Sequence, residues 1–170
     1  MQRILLTGKT GQVGHYLVGF LGPLGELVAP DHAQMDLARN DSIRSAIREA
    51  NPDIIVNAAG TTNVDQAERE PDSTMQIDGI APGIIAEEAR RCGALLIHYS
   101  TTFVFNGTGS KPYVEEDAAD PINAYGCSKL FGEKAIAATN CDYLILRASW
   151  TYSDRRSNFP LAFFRLAEIG

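Results

Sequence analysis

The sequence predicts an α/β domain built on a doubly wound parallel sheet. Three observations carry that prediction. Short apolar runs alternate with helical patterns along all 170 residues. Several of those runs are continuously apolar, as strands buried on both faces are. A glycine-rich stretch joins the first run to the first helical pattern. Right-handed crossovers then place helices on both faces of the sheet.

The elements follow in order. Residues 3–7 (RILLT) read as the first strand, and 12–21 (QVGHYLVGFL) as a helix. Residues 26–30 (ELVAP) read as a second strand. Residues 42–50 read as a short amphipathic helix with Asp41 as N-cap. The run 53–58 (DIIVNA) is a third strand. Residues 74–92 are helical, interrupted by Pro82 and stopped by Gly93. Residues 94–100 (ALLIHYS) form a fourth strand. Residues 106–121 are a long loop rich in Gly, Pro, Asp and Glu, and an irregular loop of that length in a compact domain often lines a site. Residues 123–139 are helical, 143–149 (YLILRAS) form a fifth strand, and 161–169 begin another helix.

Bulk properties narrow the function. The chain is 45% hydrophobic and 21% charged, enough for one domain with a core. A net charge of −6 argues against a nucleic-acid or anionic-membrane surface. No apolar run approaches the roughly 20 residues that span a bilayer, and the N-terminal MQRILLTGKTG does not read as a signal peptide. Cys92, Cys127 and Cys141 have no metal-ligand spacing and read as reduced thiols of a cytoplasmic protein. His15, His32 and His98 are scattered, so no metal site is expected.

The turn after the first strand reads Gly8-Lys-Thr10-Gly11-Gln12-Val13-Gly14 and opens a helix. Glycines there bring backbone N–H groups close to a pyrophosphate, and the helix dipole adds partial positive charge. The pattern predicts a Rossmann-type dinucleotide site, although its G-x-x-G-x-x-G spacing differs from the commoner G-x-G-x-x-G and an ordinary glycine-rich turn has a similar composition. Asp31 follows the second strand, where an acid accepts hydrogen bonds from an adenosine ribose and favours NADH over NADPH; a solvated turn aspartate would look the same. Asp36 and the adjacent Leu37 are alternatives for the adenine end. Asn57-Ala58-Ala59-Gly60, with Thr62 beyond, offers small residues where a dinucleotide crosses the sheet edge, or simply tight packing.

Tyr125-Gly-Cys-Ser-Lys129 carries the chemistry. At i and i+4 on a helix the two side chains share a face. An ammonium beside a phenol, whose pKa is ordinarily about 10, is expected to lower it toward the range useful for acid–base work. Y-x-x-x-K alone is a weak pattern. Its weight comes from position, after a strand ending in the hydroxyls Ser100, Thr101 and Thr102, any of which can polarise a carbonyl or merely satisfy backbone groups.

At these residues the sequence resembles the extended short-chain dehydrogenase/reductases, and within them the dTDP-4-dehydrorhamnose reductases. The segments ILLTGKTGQVG, PDIIVNAAGTTNVDQAE, LIHYSTTFVFNGTG, PYVEEDAADPINAYGCSKLFGEKA and LILRASWTY carry the resemblance from residue 4 to residue 152. It implies hydride transfer from NADPH or NADH to C4 of a dTDP-4-keto-6-deoxy sugar, with Tyr125 as proton donor. Lys129 would bind the nicotinamide ribose and Thr101 would polarise the keto oxygen. Gly8, Thr10, Gly11, Gln12 and Val13 would hold the pyrophosphate, and Asp31, Asp36 and Leu37 the adenosine. Ala58, Ala59, Gly60 and Thr62 would line the cofactor groove. Trp150 would pack near the sugar, unless it is a core tryptophan. The implied partner is a nucleotide sugar, and a homodimer is open.

The chain departs from its relatives at three places. Ser100-Thr-Thr-Phe-Val-Phe105 stands where S-T-D-Y-V-F is usual, so Thr102 and Phe103 alter expected substrate contacts. Asp78 stands where asparagine is common, and an unpaired carboxylate there would be costly if buried. Relatives also continue well past residue 170, so residues 1–170 are expected to be the NAD(P)-binding domain with the substrate part truncated. The same superfamily includes epimerases and dehydratases of other nucleotide sugars. A dehydratase needs further acid–base groups, which Thr102 does not offer. It also includes non-catalytic subunits, against which the intact Tyr125/Lys129 pair argues.

Overall fold

A computed structural model describes residues 1–154 and 158–169. Five strands, β1 (Arg3–Thr7), β2 (Glu26–Val28), β3 (Ile54–Asn57), β4 (Leu95–Thr101) and β5 (Tyr143–Ala148), form one parallel sheet in the order β2-β1-β3-β4-β5. The order reverses between β1 and β3. In doubly wound sheets that switch point, at the carboxyl ends of the strands, is where ligands bind.

Strand alternation divides the apolar residues between two faces. Leu5, Ile55 and Leu96 point to one face. There they pack with helices α2 (Asn40–Ala50), α5 (Ala81–Cys92) and α6 (Ala124–Ala138), through side chains such as Ile43, Ile47, Ile85 and Ile136, none of which is exposed. Ile4, Leu6 and Val56 point to the other face, against Leu17 and Leu21 of α1 (Gln12–Leu21).

The sequence placed most elements within a residue or two, with informative differences. The second helix starts at Asn40, so Asp41 is not its N-cap. Arg39 holds the extended cap conformation, and Asp41 sits in the first turn, where a negative charge suits the helix dipole. The second strand ends at Val28 rather than Pro30. A short helix, α3 (Val64–Arg69), is capped by Asn63 accepting from the Gln66 amide at 3.0 Å; sequence periodicity gave no sign of it. Pro82 does not break its helix. The chain runs from α4 (Pro71–Thr74) through a π-helical turn (Met75–Ile80) into α5, and Pro82 falls in the first turn of α5 just after the register changes. The last helix, α7, spans Phe159–Ile169.

The loop over residues 106–121 has no helix or strand, but it lines neither cavity of the site described below. It closes on itself instead. Asn106 donates to Asp120 at 3.0 Å, and Phe105 stacks on Tyr113 with centroids 4.3 Å apart.

Candidate active site

Two adjoining cavities, of about 600 and 390 Å³, open at the carboxyl edge of the sheet. They share Gln12, Val13, Ala58, Ala59, Gly60 and Thr62, and so form one cleft.

The larger cavity is built on the glycine turn. Gly8 has φ +73°, and a Cβ on it would lie 2.7 Å from the Ala58 carbonyl oxygen. A Cβ on Gly14 would lie 2.1 Å from the Gly8 carbonyl oxygen. The turn therefore lies directly on β3 and on the start of α1, with room that only glycine leaves. Gly11 closes the turn by donating its amide to the Gly8 carbonyl at 2.8 Å and stands at the N-cap of α1. Thr10, Asp31, Asp36 and Leu37 line the same cavity. The Asp31 carboxylate lines this cavity and at the same time closes its own turn, accepting from the Ala33 and Gln34 amides at 3.0 and 3.1 Å. Lys9, not singled out in the sequence, lines the cavity and ties the turn to β2 by donating to the Ala29 carbonyl at 2.7 Å.

The smaller cavity holds the chemical groups. Thr101, Phe103, Tyr125, Lys129 and Trp150 line it. Asn123 caps α6 by accepting from the Gly126 amide at 2.7 Å, which fixes the turn bearing Tyr125. Phe103 meets the Tyr125 ring edge-on, centroids 5.9 Å apart. Trp150 is exposed and touches Phe159, so it is not a core tryptophan. Thr102 is exposed and lines neither cavity, so the structure does not bring it to the cleft. Thr101 accepts from the Phe103 amide at 3.2 Å and also faces the Tyr125 phenol.

Electrostatics overturn one expectation. The Tyr125 phenol is raised, not lowered. Burial is the main cause, the Asp78 carboxylate adds to it, and the contact with the Thr101 hydroxyl works the other way. Lys129 is not what governs it. The ammonium is buried, donates to the Tyr99 carbonyl at 2.7 Å and lies 3.9 Å from Asp78. Burial lowers the Lys129 pKa, while Asp78 and then Glu133 oppose that shift.

Polar layers underlie the cleft. Thr7 donates to Asn57 at 2.6 Å and Asn57 donates to His98 at 3.0 Å, a chain crossing β1, β3 and β4. Burial keeps His98 neutral. Glu133 accepts from Ser100 at 2.5 Å and from Arg147 at 2.7 Å, joining β4, α6 and β5. Among the described residues no group of three His, Cys, Asp or Glu side chains converges as metal ligands, the three cysteines are unpaired, and no helix is long and apolar enough to cross a membrane.

The profile of the family described as RmlD substrate binding domain matches residues 1–170. The chain belongs to that family. It is 43% identical over 166 residues to a dTDP-4-dehydrorhamnose reductase of Burkholderia thailandensis, covering 98% of this chain and 56% of that protein. It is 44% identical over 169 residues to the Escherichia coli K12 enzyme of the same name, covering 97% of this chain and 56% of that one. Among solved structures, dTDP-4-dehydrorhamnose reductase from Bacillus anthracis in complex with NADP superposes with a TM-score of 0.94 at 33% identity, over 99% of this chain and 60% of that one. The chain thus spans a little over half the length of these relatives.

Proposed function

We propose that residues 1–170 form the NAD(P)-binding, proton-donating unit of a reductase that converts dTDP-4-dehydrorhamnose to dTDP-L-rhamnose, a precursor of cell-surface polysaccharide. One observation carries the reading. Thr101, Tyr125 and Lys129 line a cleft that continues into a glycine turn where a Cβ on Gly8 or Gly14 would collide with backbone. The names of the family relatives, and the NADP bound to one of them, support it.

Bound NADPH or NADH supplies the hydride that reduces the C4 carbonyl. The residues of this chain do the rest. The amides of Gln12 and Val13, at the start of α1 after the turn that Gly11 closes, would hold the pyrophosphate. Lys129, which lines the cleft, would hold the nicotinamide ribose with its ammonium. Thr101 polarises the keto oxygen, and Tyr125 gives its phenolic proton to that oxygen as the C–H bond forms. A phenol raised by burial stays protonated at neutral pH, as a proton donor must. Trp150 and Phe103 bound the space left for the sugar. Three unpaired thiols fit a cytoplasmic location.

The test follows NADPH and NADH oxidation by the intact natural protein with dTDP-4-dehydrorhamnose. Tyr125→Phe is expected to cut turnover by about 10²- to 10⁴-fold while nicotinamide fluorescence still reports binding. Turnover is also expected to fall as pH rises through the Tyr125 titration, because the donor is then lost. Undiminished turnover in Tyr125→Phe removes the reading.

A further inference from the structure

Asp78 is an acid that the reaction just described does not use. It lies on the π-helical turn, about 1% exposed, at the back of the cleft. The Thr61 amide donates to its two oxygens at 3.1 and 3.2 Å, and Lys129 Nζ stands 3.9 Å from Oδ1. The enclosure is built from glycines. A Cβ on Gly60 would lie 2.5 Å from Asp78 Oδ1, and one on Gly132 would lie 2.4 Å from the Asp78 carbonyl oxygen. The third glycine, Gly79, lets the turn pass Met75 and the Ser128 carbonyl of α6. A π turn carries one extra residue relative to an α turn, and such turns are frequent at functional sites.

We propose that Asp78 is a positioning residue: its carboxylate, pinned by the Thr61 amide, is the fixed counter-ion that keeps the Lys129 ammonium charged and aimed into the cleft. The geometry shows how it does so without blocking Lys129. An ammonium has three donors. One goes to Tyr99. At 3.9 Å Asp78 attracts the charge but is too far to take a hydrogen bond. The other two donors make no hydrogen bond to the described residues, and Lys129 lines the cleft.

The surrounding groups leave Asp78 as the nearest compensation. On α6, Glu133 also faces Lys129 but is bonded to Ser100 and Arg147. On β4, His98 is neutral. On α3, Glu68 accepts from the Ala124 amide at the start of α6. Tyr125 is the other titratable group that feels Asp78.

The inference deepens the reductase reading, but its primary tests need neither cofactor nor sugar, so the two can fail separately. The first is the Lys129 ammonium titration, followed by NMR of lysine-labelled intact protein without nucleotide and assigned with Lys129→Met. Asp78→Asn is expected to move the midpoint to lower pH, since the negative charge that favours the ammonium is gone; an unchanged or higher midpoint overturns the proposal. The second is a urea cycle. Lys129→Met is expected to cost more stability with Asp78 than with Asn at that position; equal costs overturn it. If Asp78→Asn does not fold, Lys129→Met alone decides. Its unpaired Asp78 must ionise in the core, so its stability is expected to fall, relative to the parent, as pH rises from acid to neutral. A loss independent of pH overturns the proposal.

Discussion

Asp78 and Glu88 lie on one continuous helical run and are both buried, yet the fold treats them oppositely. Glu88 accepts from Arg44 at 3.1 Å, Arg48 at 2.9 and 2.7 Å, and Arg91 at 2.6 Å. Hydrogen bonds from Arg48 first, then from Arg91 and Arg44, hold its carboxyl down to about 2 against the cost of burial. Asp78 has one backbone amide and one ammonium beyond bonding distance, and burial raises its carboxyl. The first acid is surrounded by partners and ties α2 to α5. The second is under-satisfied beside the cleft. Perturbed carboxyls concentrate at working sites, and the direction of the shift separates a stabilising acid from a poised one.

The contrast can be broken most forcefully at Glu88. Glu88→Gln is expected to cost about 3 kcal/mol in urea unfolding at neutral pH, because three guanidiniums lose their shared partner. The pH dependence follows from the depressed carboxyl. Its contribution is present above the ordinary glutamate range and is lost as pH falls from about 4.5 toward about 2. Parent and variant stabilities should therefore converge in acid, and parallel curves would remove Glu88 from its role. Gly132→Ala comes next. Its Cβ meets backbone rather than a yielding side chain, so about 1–3 kcal/mol is expected. Because α6 must then move off the π turn, nucleotide affinity should fall with stability; full affinity would show that the two elements need not touch. Asp78→Asn is expected to be the mildest, at about 1 kcal/mol or less, since no direct hydrogen bond to Lys129 is lost and the cost of burying a carboxylate is relieved. A loss equal to that of Glu88→Gln would erase the contrast.

The strands, the glycine turn and the Tyr125/Lys129 face were legible in the sequence because each is a local pattern: an apolar run, a strand–turn–helix junction, an i,i+4 pair. Every residue expected at the cofactor lies along the cleft for the same reason. What escaped was set by distant contacts. Six residues of α3 are too few for periodicity. The π register comes with a close approach of Gly132 to the Asp78 carbonyl, a distant contact that spacing cannot reveal. The phenol shift was misjudged because i,i+4 spacing places Lys129 beside Tyr125 but says nothing of the Tyr99 carbonyl or Asp78, which hold the ammonium. Thr102 looked like part of a hydroxyl row, but the chain leaves β4 after Thr101 and turns it outward.

The three thiols also grade the molecule for chemical labelling. Cys141 is buried, Cys92 is half-buried, and Cys127 is exposed, between Tyr125 and Lys129 in sequence. A helix turns about 100° per residue, so the spacing that points those two side chains inward turns Cys127 to solvent. A maleimide dye should therefore attach first at Cys127, on the outer side of the turn that carries Tyr125. From there its emission can report movements of α6 as the cleft fills, without the dye entering it.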